Sequence, residues 1–209
     1  MYEARVQYAL DNFILDDFFI NMSTSYDLME TSKGGESCLH VTVNDTNLCL
    51  AYFDNKPKCA FLRDDPSYGM KKSSDHLIFY KSNHEWKLCI IEMKTSVGQR
   101  TWDDIKKKTR TSYLTAQAIA VFLGITITEH STQVYTTYEN EKFYSAKGTT
   151  TPALYKALLG KKVSDYKKEE WDKDIIKINI SNIISLPHKA IKMTRNTSTN
   201  ILEGTLIIS

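Results

Sequence analysis

Residues 75–94 constrain this chain more than any other stretch. They hold an acid at the mouth of one apolar strand (DHLIFYK), a polar break, and a second apolar strand (KLCIIEMK). Strands of this kind normally run out into turn residues, yet the second ends in Glu92-Met93-Lys94. A carboxylate and an ammonium are thereby set together at a strand end, with a further carboxylate, Asp75, at the end of the neighbouring strand.

Side chains alternate along a strand, so Glu92 and Lys94 share a face about 7 Å apart along the backbone, while Met93 points away and offers its carbonyl oxygen. With Asp75 alongside, two carboxylates, a backbone carbonyl and water make the oxygen-rich shell that Mg²⁺ prefers. A cation so held binds a phosphate oxygen and lowers the pKa of a bound water. Lys94 supplies positive charge where a phosphorane-like centre develops, or orients the attacking water. Phosphodiester hydrolysis is a chemistry that uses all of these. The expected metal ligands are Asp75, Glu92 and the Met93 carbonyl, with Mg²⁺ as the ion and Mn²⁺ as its substitute.

On Asp75, Glu92 and Lys94 the chain resembles the PD-(D/E)XK nuclease superfamily, whose signature is an acid on one strand followed by [Asp/Glu]-x-Lys on the next. Ser74 stands where that family often has proline. The resemblance spans residues 73–138 by pattern. It implies an α/β, restriction-endonuclease-like core with a central mixed β-sheet flanked by helices, and a Mg²⁺-dependent nuclease acting on DNA before RNA, in restriction or anti-phage defence. In RecB-like members a glutamine on the next helix reaches back to the active site. Gln117 occupies such a place, although Val121 stands where those members carry tyrosine. An exposed or backbone-bonded glutamine is the alternative. The same fold used without catalysis, as a nucleic-acid-binding or protein-interaction subunit, is the alternative function.

Three other acid-x-Lys triplets occur, at residues 54–56, 104–106 and 165–167. The last two lie in polar, helix-like sequence. Asp54-Asn55-Lys56 follows LCLAYF but runs into Pro57 and CAFL, and reads as a hairpin turn with solvated charges. Only Glu92-Met93-Lys94 has two strands before it and a helix after it. That helix is signalled by Thr101 with Asp103 and Asp104 in its first turn. Leu114, Ala118, Val121 and Phe122 form its expected apolar face, and Gly124 ends it. Lys106, Lys107, Lys108 and Arg110 are candidates to meet a phosphate backbone; a solvated face partly paired to the two aspartates is the other reading.

At 209 residues the chain fits one domain, residues 1–209. Its net charge of +2 confines any nucleic-acid surface to a local patch. Cys38, Cys49, Cys59 and Cys89 have no CxxC spacing and sit in or beside apolar runs, so they are expected as small hydrophobes, without a structural zinc or disulfide framework. The start MYEARVQY has no apolar signal region and no run suits a membrane span, which leads to the expectation of a cytoplasmic protein. His40, His76, His84, His130 and His188 form no catalytic motif, and no P-loop occurs. With no reader module or motor of its own, the chain is expected to work with a protein partner or as a homodimer, docking through TLIIS or the lysines of 161–173.

Elsewhere, residues 3–20 read as a helix with Val6, Ala9, Leu10, Phe13 and Ile14 inward and Glu3 as a possible extra acid. LHVTV, NLCLAYF, CAFL, TQVYTTY, IIKINI and TLIIS read as strands, 153–159 as a short helix, and 161–174 as a solvated connection.

Overall fold

The computed structural model describes residues 2–20, 22–32, 35–56, 61–65, 67–143 and 166–209. The expected helix over 153–159 and the first half of the CAFL strand fall outside these residues; the second half, Phe61 and Leu62, is turn and bend rather than strand.

The two strands around the acid pair form a hairpin, β4 (His76–Ser82) and β5 (Glu85–Met93), paired antiparallel from His76–Ile91 to Ser82–Glu85. Its turn residues Asn83 and His84 both have positive φ (52° and 66°), as a two-residue type I′ turn requires. The chain then crosses over through α2 (Gln99–Leu123) to β7 (Thr132–Tyr138), which lies parallel to β5. Parallel neighbours need such a crossover. Gly124, at φ 72°, ends the helix in the left-handed conformation that glycine adopts without strain.

β3 (Asn47–Leu50) extends the hairpin on one side, while β10 (Ile183–Lys192) and β9 (Ile175–Asn179) extend β7 on the other. The result is a six-stranded mixed sheet of order β3-β4-β5-β7-β10-β9. A four-stranded sheet, order β1-β2-β12-β11, is built from β1 (Ser25–Ser32), β2 (Gly35–Val43), β12 (Leu202–Ile208) and the short β11 (Thr194–Arg195). Two more short strands, β6 (Ser96–Val97) and β8 (Asn140–Glu141), pair with each other.

The six-stranded sheet is covered on both faces, which is why β4 and β5 are almost continuously apolar. One face, with Leu77, Phe79, Leu88, Ile90, Val134 and Ile178, packs on α1 (Ala4–Asn12), α2 and α3 (Tyr166–Asp172). The other, with Ile78, Tyr80, Cys89, Ile91 and Met93, packs on Leu28, Leu39, Val41, Leu206 and Ile208 of the second sheet. The α/β class and the mixed central sheet are as expected, but helices cover one face only; a second sheet covers the other. No helix among the described residues is long and apolar enough to cross a membrane.

Local readings needed correction in four places. The first helix ends at Asn12, and the following chain turns to pack Phe18 and Phe19 on the core and bridge Ile20 to Cys49, leaving Phe13 exposed. Residues 54–56 are not a hairpin but part of a 3-10 turn, Phe53–Asn55, hung by the Phe53 N–H on the Asp75 carbonyl. In 161–174, Tyr166–Asp172 is helical and buries Glu170 and Trp171. Finally, Leu114, Ala118, Val121 and Phe122 do share a face of α2, but it is the outward one: Val121 is 72% and Phe122 58% exposed. The inward stripe is Trp102, Ile105, Thr109, Ser112, Ala116, Ala120 and Leu123. Its middle is small and polar, so a hydrophobicity count favours the wrong side.

Candidate active site

The polar middle of α2 lies over the end of the β4–β5 hairpin. Asp75 immediately precedes β4 and has the parity of Leu77 and Phe79; Glu92 has the parity of Leu88 and Ile90. Both carboxylates therefore emerge on the helix-covered face. Ser112 of α2 accepts a hydrogen bond from the Ser74 N–H at 2.8 Å, which fixes the entry to β4 against the helix.

Asp75 and Glu92 are buried, at 2% and 0% exposure. Asp75 Oδ2 accepts the Met93 N–H at 2.6 Å. Lys94 pairs with Glu92 Oε1, and its Nζ also donates to the Met93 carbonyl at 3.0 Å. The structure thus gathers Asp75, Glu92, the Met93 carbonyl and Lys94, all picked out from sequence. It adds a residue that had been given a different part. Lys108 of α2 inserts between the two carboxylates, 3.2 Å from Asp75 Oδ1 and 2.7 Å from Glu92 Oε1.

The charges do not balance atom by atom. Glu92 Oε2 is buried and has no hydrogen-bond partner among the described residues. Burial, then the neighbouring Asp75 charge, push the Glu92 carboxyl up to about 7, against the opposing pull of Lys94 and Lys108. Lys108 is held well above its usual range: the two carboxylates outweigh the burial that acts against its charge.

Two further acids stand at this end of the molecule. Glu30 of β1 continues the inward face of Tyr26 and Leu28, and its carboxyl is raised by burial and then by the charges of Asp75 and Asp54, with Lys94 and Lys108 acting the other way. Asp54 lies on the 3-10 turn attached to Asp75. Period-two alternation in SYDLMETS was a usable signal for Glu30. Asp54 had none, because its approach depends on a backbone bond between segments more than twenty positions apart.

The other candidates lie elsewhere. Gln117 donates to the Tyr113 hydroxyl at 3.0 Å, on its own helix and about 13 Å along the axis from Lys108. Glu3 pairs with Lys81, toward the hairpin-turn end of β4. Lys106 pairs with Glu170 of α3 at 3.0 Å, and Arg110 donates to the Tyr68 carbonyl. Lys106, Lys107 and Arg110 nonetheless line an open cleft of about 560 Å³, together with Tyr166, Lys177 and Asn179 from α3 and β9.

The chain matches no protein-family model, no curated protein and no solved structure. Its functional reading therefore rests on the geometry of these residues.

The residues present suit a hard divalent cation. The two carboxylates and the Met93 carbonyl are oxygen donors, and Glu92 keeps one oxygen without a partner among the described residues, while Lys94 and Lys108 occupy the other oxygens and would have to make way.

Proposed function

We propose that this chain is a divalent-metal-dependent nuclease of the PD-(D/E)XK kind, with a restriction-endonuclease-like core made by β4, β5, α2 and β7. It hydrolyses phosphodiester bonds, in DNA before RNA, in the manner of a restriction or anti-phage effector. One observation carries the reading: Asp75 and Glu92 converge from adjacent strands on a buried spot beside Lys94, with Glu92 Oε2 unpartnered.

Asp75, Glu92 and the Met93 carbonyl would hold Mg²⁺ or Mn²⁺, which supplies Lewis acidity and an activated water. Lys94, the more exposed of the two lysines, neutralises charge developing on the phosphoryl oxygens and orients the nucleophile. Lys108 keeps the carboxylate pair compensated before the cation arrives and must yield its place to it. A protein partner or a second copy supplies target choice, since the chain's net charge of +2 gives it little general pull on nucleic acid.

The test is cleavage of plasmid, linear and single-stranded substrates with Mg²⁺ or Mn²⁺. Asp75→Ala and Glu92→Ala should each abolish it with the fold intact; cleavage that survives both changes overturns the assignment. A second reading has its own support in Lys108, which satisfies both carboxylates as a structural ion network would. On that reading the protein is a non-catalytic nucleic-acid-binding or protein-interaction module. It would then bind nucleic acid in a salt-dependent way, or dock on a protein, without cutting in any metal.

A further inference from the structure

The outer face of the four-stranded sheet brings three metal-ligating side chains to one place. Asp27 on β1 and His40 on β2 are directly paired across the strands, with Asp27 Oδ1 2.7 Å from His40 Nδ1. Cys38, two residues earlier on the same face, has its Sγ 3.8 Å from that nitrogen. One donor atom from each lies within 4.8 Å of the others. Glu203 of β12 is in register with Cys38 and so projects from the same side. Burial, then the charges of Asp27 and Glu203, push the Cys38 thiol up.

We propose that Asp27, Cys38 and His40 form a second metal site, independent of Asp75 and Glu92, that takes a borderline divalent ion of the Zn²⁺ type, with Glu203 or water as the fourth ligand. A thiolate, an imidazole and a carboxylate are the donors such an ion prefers, and a thiolate does not suit Mg²⁺. Ligand atoms around a tetrahedral ion at 2.0–2.3 Å stand about 3.4–3.6 Å apart. The sulfur–nitrogen spacing is already close to this. Asp27 and His40 need to part by under about 1 Å, which their side-chain exposures of 71% and 49% allow. Binding releases the Cys38 thiol proton to solvent as the sulfur–metal bond forms. The ion would tie β1 to β2, and β12 as well where Glu203 is the fourth ligand.

Titration of the metal-free full-length protein with Co²⁺ tests this through the sulfur-to-cobalt charge-transfer band and the visible bands of tetrahedral cobalt. One equivalent should bind with that charge-transfer band and be displaced by Zn²⁺. The charge-transfer band should vanish in Cys38→Ser, and affinity should fall at least tenfold in His40→Ala and Asp27→Asn. It should persist in Glu92→Gln and in Cys59→Ser. Zn²⁺ should raise the melting temperature of the wild type and not that of Cys38→Ser. A wild type without the charge-transfer band, or a band that survives Cys38→Ser, overturns the proposal.

Discussion

The Lys108 ammonium stands 2.7 Å from the Glu92 carboxylate, reaching it from the third turn of α2 while also touching Asp75. This position separates the two readings of the site. Lys108→Met removes one of the two counter-ions of a buried acid pair, the one that bridges both acids, and should cost about 3 kcal/mol of stability without metal. If the site takes a divalent cation, Mg²⁺ or Mn²⁺ should restore more stability to Lys108→Met than it adds to the wild type, because the competitor is gone. Melting curves with and without metal read this directly. No metal response in either protein favours the purely structural network.

Lys94 and Gln117 should behave oppositely. Lys94→Ala is expected to lower the cleavage rate about 10²–10³-fold with little change in substrate affinity, since the ammonium acts on charge that develops during reaction. Gln117→Ala breaks only the bond to Tyr113 on its own helix and should cleave at the wild-type rate. Single-turnover kinetics on the two variants would check both, and a wild-type rate in Lys94→Ala reduces that residue to an ion pair.

The cationic run on α2 divides by partner. Lys106→Ala leaves the buried Glu170 carboxylate with the Trp102 indole as its remaining donor among the described residues and should cost about 2 kcal/mol, seen as a lower denaturation midpoint. Lys177, on the exposed side of the cleft, should leave stability within about 0.5 kcal/mol when changed to Ala. If nucleic acid binds in that cleft, Lys177→Ala should weaken binding and shallow its salt dependence. Unaltered salt dependence moves the binding surface elsewhere.

His188 sets an acid limit on stability. It is buried between Trp102 and Trp171, and burial drives its pKa from 6.5 down to about 3. The unfolded chain therefore takes up a proton that the folded chain refuses. Stability is fully present above about pH 6.5 and falls with pH toward 3, by about 1.4 kcal/mol per pH unit from this group. His188→Gln should lower stability at pH 7 yet flatten this acid limb. Denaturant unfolding at several pH values measures the slope, and an unchanged slope would refute the assignment.

How much was legible in the sequence depended on the range of the interaction. The β4–β5 pair, the crossover helix, its stop at Gly124 and the β7 strand follow from period, turn chemistry and length, all local properties of the chain. Alternation alone put Glu92 on the face of Leu88 and Ile90, and Asp75 on that of Leu77. What lay beyond it came from elements meeting in space. Lys108 read as one member of a surface run, because nothing in KKKTRTSYLT tells which cation faces an acid 16 residues back. The inward side of α2 was inverted for the same reason. Thr109 and Ser112 look like solvent residues until the sheet beneath them is known to carry carboxylates and an open strand entry. β1 brings Glu30 and Asp27 to opposite faces of one strand, one toward the acid pair and the other toward Cys38 and His40. Residue type and period specify which groups ionise, alternate and turn, whereas the neighbours of each charge are chosen in three dimensions, because proximity between distant segments is set by how sheets and helices cover one another.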